Sequence, residues 1–216
     1  MPGTAIQIYS FLGPRHSFFV TDFMNRILGI DPGSRLTGYG IIDMQERKAI
    51  WVSSGCIRVK AASLAERLCE ICEGIQSLLD EFQPHEMAIE QVFVHRNPSS
   101  ALKLGQARGA AISMVALRGI PVSEYSPTQI KQAIVGRGNA AKAQIQHMTM
   151  TLLGLSKLPQ EDAADALAVA LCHAHINQSL EKMGRQEQSS TARRSGRWRE
   201  SDLVNINTQY KRGIKR

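Results

Sequence analysis

The sequence has few cysteines, few aromatic residues and no long apolar run, and each scarcity excludes a class of protein. Four cysteines in 216 residues do not make the disulfide framework of a secreted scaffold, and no second ligand pair accompanies them as in a zinc site. We expect all four to be core thiols. No apolar run approaches the roughly 20 residues that cross a bilayer. The first 25 residues lack the basic segment and cleavage site of a secretory signal. We therefore expect a cytoplasmic protein.

Acidic residues are in the minority, but only at one end of the chain. The formal net charge is +7. Residues 178–216 contain ten Lys/Arg and four Asp/Glu, whereas residues 26–177 contain fifteen and fourteen. The tail is polar and lacks apolar periodicity, which favours a solvated, disordered segment; an arm that attracts phosphates is the alternative. The basic composition therefore does not indicate that the folded part binds nucleic acid.

The period of the apolar pattern changes along the chain and predicts an α/β fold. Runs with strand character come first, at 26–30, 37–43 and 49–59. Ser63 and Glu66 then form a capping box before residues at helical spacing. Two more strands are predicted, at 86–92 and 121–125. Four further helices are predicted at 97–119, from 126 onward, at 139–154 and from 162 to about 177. This order predicts a mixed five-stranded sheet, a three-strand antiparallel meander plus parallel strands, flanked by helices.

The pattern also predicts three segments. Residues 1–25 show no clear period, and Met24 stands directly before the first strand. We expect these residues to be an N-terminal leader outside the fold. Residues 26–177 form one folded domain, and residues 178–216 form the basic tail.

Acidic residues lie at the ends of three apolar elements. Asp31 follows the first strand, Glu90 follows the apolar part of the strand at 86–92, and Asp162 and Asp165 share one face of the last helix. That helix is apolar nearly all round, so its acids should not simply face bulk water. Each acid alone has an ordinary explanation: Asp31 begins a Pro-Gly turn, Glu90 ends a strand, and the helix acids favour the helix dipole. A single shared site explains all of these acids at once, whereas the ordinary explanations require three unrelated coincidences.

A cluster of carboxylates has a chemical interpretation. Buried carboxylates repel one another, and a divalent cation removes that repulsion. Oxygen ligands without a His/Cys cluster suit Mg²⁺ or Mn²⁺, and two such ions roughly 4 Å apart support phosphodiester hydrolysis. The strand followed by Asp-x-Gly-Ser is also typical of the phosphate loop of actin-like ATPases, but the folded part is too short for their two lobes. The sequence therefore favours metal-dependent phosphoryl transfer to water.

Several blocks, in order along the chain, closely resemble the RuvC family of Holliday-junction resolvases: GIDPGSRLTGYGIID, AIEQVF, SALKLGQARGAA, KQAIVGRG, AQIQHM and EDAADALAVA. The resemblance covers about residues 26–177 and makes this segment a RuvC-like nuclease domain. It implies a ribonuclease H-like fold, a homodimer, and Mg²⁺-dependent paired nicking of a four-way junction in recombination and repair. It further implies RuvA and RuvB as partners. Residue by residue, it implies that Asp31, Glu90, Asp162 and Asp165 are the metal-binding catalytic acids, with two ions per site.

Other matched positions indicate contacts with DNA. Phe93 stands beside Arg96 in the loop after Glu90, so it can stack on an unpaired base, although it can also finish the strand in the core. Lys131 and Lys142 match family lysines near the scissile phosphate; the alternative is that they are exposed helix lysines. Two further candidates are Arg137, which adds charge to a glycine-rich segment, and His147, which either approaches the metals or packs.

The remaining basic residues have ordinary interpretations. Lys103 and Arg108 are expected to be solvated or interfacial, and His173 and His175 to be ordinary residues near a helix C-terminus. Small residues at 101–116 allow close helix packing, onto the sheet or onto a partner. Two alternatives to the resolvase stay open: a catalytically silent junction-binding module, and another ribonuclease H-like nuclease acting on RNA or hybrids.

Overall fold

The computed structural model describes residues 24–92 and 98–195, with side chains up to residue 183. The strands are β1 (Asn25–Asp31), β2 (Leu36–Gln45), β3 (Lys48–Arg58), β4 (Glu86–Glu90) and β5 (Val122–Tyr125). The helices are α1 (Leu64–Phe82), α2 (Pro98–Leu117), α3 (Pro127–Val135), α4 (Lys142–Leu153) and α5 (Glu161–Ser195). Among these described residues, no helix is long and apolar enough to cross a membrane.

The five strands form one mixed sheet in the order β3-β2-β1-β4-β5. The pairs β1–β2 and β2–β3 are antiparallel, whereas β1–β4 and β4–β5 are parallel. The meander follows from short turns between the first strands, and the parallel pairs follow from helical crossovers. The predicted fold class, a mixed five-stranded sheet flanked by helices, is confirmed.

Alternate residues of β1 enter two separate cores. Leu28 and Ile30 pack with α1 and α2 on one face of the sheet, whereas Ile27 packs with α3, α4 and α5 on the other. This alternation is the two-residue period of a strand that is buried on both faces. The central strand is therefore held rigidly, and so is the acidic residue at its end.

Two helix starts agree with the sequence signals, whereas α4 begins at Lys142, three residues later than predicted. The Ser63 hydroxyl accepts a hydrogen bond from the backbone N–H of Glu66 at 3.3 Å. Ser126 and Gln129 form a full capping box before α3. These caps satisfy backbone N–H groups that the first helical turn leaves without partners.

The predicted end of the last helix, near residue 177, is wrong, because α5 continues to Ser195. Apolar periodicity ends there, but residues such as Leu180, Glu181 and Lys182 favour helix, and no proline interrupts the segment. A helix that is already nucleated extends at small cost through such residues. The chain divides into two units between Ile176 and Asn177. In the second unit, Leu180 and Met183 are exposed, and the predicted disorder of the tail lies outside the described residues from 196 onward.

The cysteine prediction holds for two of the four residues. Cys56 and Cys172 are buried and free, whereas Cys72 is half-buried and Cys69 is exposed. The expectation of a core thiol is therefore wrong for Cys69, whose thiol donates to Glu73 Oε1 at 3.4 Å. Cys69 comes one residue after Leu68 of the apolar stripe that packs on the sheet, so its side chain lies on the outer side of α1.

Candidate active site

Two of the candidate acids end adjacent parallel strands. The register pairs Ile30 of β1 with Ile89 of β4, so Asp31 and Glu90 follow side by side at the same edge of the sheet. The two carboxyl groups interact, because the charge of Glu90 raises the pKa of Asp31. The carboxyl ends of parallel strands are where sites collect in α/β folds.

Three strand glycines allow α5 to approach this edge. A Cβ atom added at Gly38 would lie 2.0 Å from the backbone oxygen of Asp162, and one at Gly29 would lie 2.1 Å from that of Ala166. A Cβ at Gly40 would lie 2.7 Å from Leu167. No other residue type fits at these distances, so the glycines set how closely the helix packs. The start of α5, with Asp162 and Asp165, is thereby brought to the ends of β1 and β4. Sequence reasoning missed these glycines. Gly29 of β1 pairs directly with Gly40 of β2, and Gly38 and Gly40 are two residues apart, so all three lie on the same face of the sheet.

The four acids repel one another. Burial, and then the charges of Glu90, Asp165 and Asp162, raise the pKa of Asp31 to about 8. Burial followed by the charge of Asp165 also raises the pKa of Glu90. The pKa of Asp165 is raised by burial, against the opposing effect of Lys142. Raised pKa values with these causes indicate negative charge that is not fully compensated.

Two of the predicted lysines lie at the acids. Lys142, the first residue of α4, places its Nζ 2.7 Å from Asp165 Oδ2 and 2.6 Å from Glu161 Oε1. Its charge lowers the pKa of Asp31 and of Glu90. Lys131 of α3 also lowers the pKa of Glu90. Glu161 is exposed and pairs with Lys142, and this hydrogen bond lowers the pKa of Glu161.

The chemistry of the acids fits a divalent cation. Carboxylate oxygens are hard ligands, and Asp31, Glu90 and Asp165 all have pKa values raised by burial and by other acids. Within residues 24–92 and 98–195, no three His, Cys, Asp or Glu side chains are spaced as a ready-made metal group. The acids are close enough to repel, and Asp165 contacts the ammonium of Lys142 instead.

The other predicted contact residues have mixed outcomes. Phe93 and Arg96 lie outside the described residues. Arg137 is exposed beyond the end of α3. His147 is exposed on α4, which speaks against the packing alternative for its side chain. Lys103 is exposed as expected, and Arg108, the other residue given an ordinary interpretation, forms an ion pair with Glu124.

A buried polar chain connects α5 to the sheet. His173 Nδ1 lies 2.6 Å from the Tyr125 hydroxyl, and His173 Nε2 contacts the Glu86 carboxylate. Asn25 Nδ2 also donates to Glu86 Oε1 at 3.1 Å. The side chain of His173 is only 5% exposed, so its interpretation as an ordinary residue near a helix end is wrong. This interpretation failed for two reasons. The helix was predicted to end too early, and the apolar period of α5 shows that one face is buried but not which strands that face contacts.

His175, the other histidine given that interpretation, is half-buried, and its Nδ1 lies 3.1 Å from the Ala133 carbonyl oxygen. This contact joins α5 to α3 rather than to the sheet.

The sheet order, the flanking helices and the acids at one edge define the ribonuclease H-like class of fold. A sequence model described as "Crossover junction endodeoxyribonuclease RuvC" matches residues 27–173. This chain therefore belongs to the RuvC family. Membership of this nuclease family implies dependence on a divalent metal ion.

Individual relatives cover the same part of the chain. The crossover junction endodeoxyribonuclease RuvC of Marinobacter nauticus is 60% identical over 159 residues, which are 74% of this chain and 91% of that protein. The protein of the same name from Idiomarina loihiensis is 59% identical over 162 residues, 73% of this chain and 91% of its own. Among solved structures, Thermus thermophilus RuvC in complex with Holliday junction substrate is 34% identical, with a TM-score of 0.68 over 71% of this chain and 95% of that one.

Proposed function

We propose that this chain is a metal-dependent endodeoxyribonuclease that resolves four-way DNA junctions by paired symmetric nicks, in homologous recombination and DNA repair. The observation that carries the proposal is the approach of Asp31, Glu90, Asp162 and Asp165 at one edge of the sheet, where their charges raise the pKa of Asp31. Family membership supports it, and so does the likeness to Thermus thermophilus RuvC, whose structure was solved in complex with Holliday junction substrate. In this proposal residues 26–177 are the nuclease domain, residues 1–25 a leader and residues 178–216 a basic tail.

The proposed cofactor is Mg²⁺, two ions per active site, with Mn²⁺ able to substitute. The four acids would hold the ions through carboxylate oxygens, the ligands that Mg²⁺ prefers. When bound, the ions supply activation of a water molecule and stabilisation of the leaving oxygen in phosphodiester hydrolysis. Asp31 binds a cation only after it loses its proton, so its raised pKa makes loading of the site more favourable as pH rises.

The lysines and the loop after β4 would position the DNA strand. Lys131 and Lys142 carry positive charge next to Glu90 and Asp165, where the scissile phosphate must lie if the acids bind the metals. Lys142 is 51% exposed, so its side chain can turn from Glu161 to a phosphate oxygen. Phe93 would stack on an unpaired base, while Arg96 and Arg137 would contact phosphates.

Self-association would pair two active sites on opposed strands. Leu102, Gly105 and Gly109 lie at helical spacing along the exposed side of α2, and among the described residues neither glycine has a neighbour within 4 Å of an added Cβ. A two-fold dimer through this stripe would match the symmetry of a four-way junction. By family, we also propose cytoplasmic action with the RuvA–RuvB branch-migration complex.

One assay tests the proposed activity. The protein is incubated with Mg²⁺ and, in separate reactions, a labelled four-way junction, a duplex of the same arm sequence and an RNA–DNA hybrid. We expect paired nicks at symmetric positions on the junction alone, and no nicks when EDTA is present. Binding without nicks would support the silent module, and cleavage of the hybrid would support the other nuclease class; either result would contradict the proposal.

A further inference from the structure

A groove of about 540 Å³ lies between β3 and the connection from α4 to α5. This volume is within the range of pockets that hold small molecules, roughly 300–1,000 Å³, and accommodates a nucleotide. The residues that line the groove come from β3, the connection and the first turn of α5: Trp51, Ser54, Gly55, Leu155, Ser156, Lys157, Leu158, Pro159, Gln160 and Ala163.

The walls of the groove suit the flat face of a base. The indole Nε1 of Trp51 donates to Ser54 Oγ at 3.2 Å, so its single polar atom is satisfied and the ring is fixed in place. Leu155, Leu158 and Pro159 supply apolar surface, and Leu158 is 53% exposed. Nucleobases stack on aromatic rings and between apolar side chains in proteins that hold unpaired bases.

The charge and position of the groove favour a nucleic-acid strand. Among the described residues that line it, Lys157 is the only charged one. A cation without an accompanying carboxylate suits a phosphate that enters with its base. Ala163 lies between Asp162 and Asp165 in the first turn of α5, so the groove adjoins the candidate active site. A strand whose phosphate reaches the acids has the groove within its reach on this side of α5.

We propose that this groove binds an unpaired nucleobase of the junction, close to the phosphate that is cut, with the base on Trp51 and a phosphate at Lys157. The inference rests on the proposed function, because it names a second contact for the same substrate. Bases at the exchange point of a junction have lost neighbours in their stack, so unstacking one of them costs less than in continuous duplex.

Fluorescence of Trp51 tests occupancy directly. The chain has two tryptophans, so Trp198→Phe leaves Trp51 as the single reporter. The protein is titrated in EDTA with a four-way junction or with duplex of the same length. We expect junction to quench Trp51 emission at a concentration at least about five-fold lower than duplex, in keeping with the contribution of one stacked base. No quenching, or equal quenching by both DNAs, would overturn the proposal.

Exposed lining residues provide variants that keep the fold. Leu158→Ser should weaken junction binding at least about five-fold, near the lower limit for a base contact. Leu117→Ser, at a position that is 81% exposed on α2, is the matched control and should bind like the parent. Lys157→Gln should lower the slope of log affinity against log salt by about one, as for one lost phosphate contact. Lys48→Gln, exposed at the start of β3, is its control. Unchanged junction affinity and salt slope in both groove variants would refute the site.

The outcomes separate this inference from the proposed function. A parent protein that nicks the junction while Trp51 stays unquenched and Leu158→Ser binds normally contradicts the groove alone. A protein that quenches with junction but never nicks supports the groove and contradicts the nuclease. If the groove instead receives an apolar side chain of a protein partner, DNA leaves the Trp51 emission unchanged, which counts against the proposal.

Discussion

The two faces of the sheet use small residues in opposite ways. On the α5 face, Gly29, Gly38 and Gly40 meet the helix so closely that an added Cβ would lie 2.0 to 2.7 Å from it. On the other face, Gly105 and Gly109 of α2 have no neighbour, within the part of the chain that the structure describes, closer than 4 Å to an added Cβ. Glycine in the strands therefore serves packing within the chain, whereas glycine on α2 leaves a surface open. The close packing brings the acids together, and the open surface suits a second copy of the chain.

Adding one methyl group to each face tests this difference most severely. Gly29→Ala should lower the free energy of unfolding by more than about 3 kcal/mol, because overpacking against a backbone oxygen has no cheap relief. Gly109→Ala should leave the fold of the single chain intact and weaken self-association. Urea unfolding at several protein concentrations separates the two effects, since only assembly depends on concentration.

A small change for Gly29→Ala would show that α5 can move away from the sheet at little cost. A concentration-independent loss of stability for Gly109→Ala would contradict the open surface on α2.

Removing one carboxylate charge from each face of the sheet distinguishes an effect on catalysis from a general effect of surface charge. Asp31→Asn should reduce junction nicking by more than about 100-fold, beyond the range for residues that only orient a metal ligand, while junction binding persists. Asp80→Asn is the control, because Asp80 pairs with Arg118 on the exposed side of the α1–α2 layer. Gel assays of nicking and of binding check both variants. Full activity of Asp31→Asn would remove Asp31 from the ligand set.

Polar contacts on the two sides of the sheet should also differ in strength. His173→Leu takes a buried partner from the Tyr125 hydroxyl and should cost about 1–3 kcal/mol of unfolding free energy. Arg118→Ala breaks an exposed ion pair and should cost about 0–1 kcal/mol. Chemical denaturation of both variants gives the comparison. Equal losses of unfolding free energy would show that the buried contacts of His173 with Tyr125 and Glu86 hold α5 on β4 and β5 no more strongly than a surface ion pair would.

Asp31, on the α5 face, should also make the stability of the folded chain depend on pH. The folded pKa of Asp31 is about 8, against an ordinary value of 3.8. Between these values the folded chain binds more protons than the unfolded chain. Stability in EDTA should therefore fall as pH rises through this window, by at most about 1.4 kcal/mol per pH unit for one proton. Asp31→Asn should flatten the profile, and Mg²⁺ should restore stability most at the alkaline end.

Thermal unfolding at a series of pH values measures this profile. A flat profile for the parent in EDTA would contradict the proton held at the acids. A profile that Asp31→Asn leaves unchanged would assign the dependence to other groups.

Local signals in the sequence predicted the elements that position the site. Strand and helix periods and the caps at Ser63 and Ser126 each depend on a few neighbouring residues, so they can be recognised without the fold. The acids were found because they interrupt apolar runs, and Lys142 because it stands directly before a block that resembles the family. The exposed position of Cys69 was missed, since a single thiol does not reveal its side of a helix.

The sequence by itself determined the order of strands and helices, the acids at their ends and the family to which the chain belongs. Only the tertiary structure decided that Lys142 pairs with both Asp165 and Glu161, that His173 reaches Tyr125 and Glu86, and that Trp51 borders a groove beside α5. The physical reason is one of range. A period of two or 3.6 residues records which side of an element is buried, but the partner on that side is chosen by packing between segments far apart in the chain.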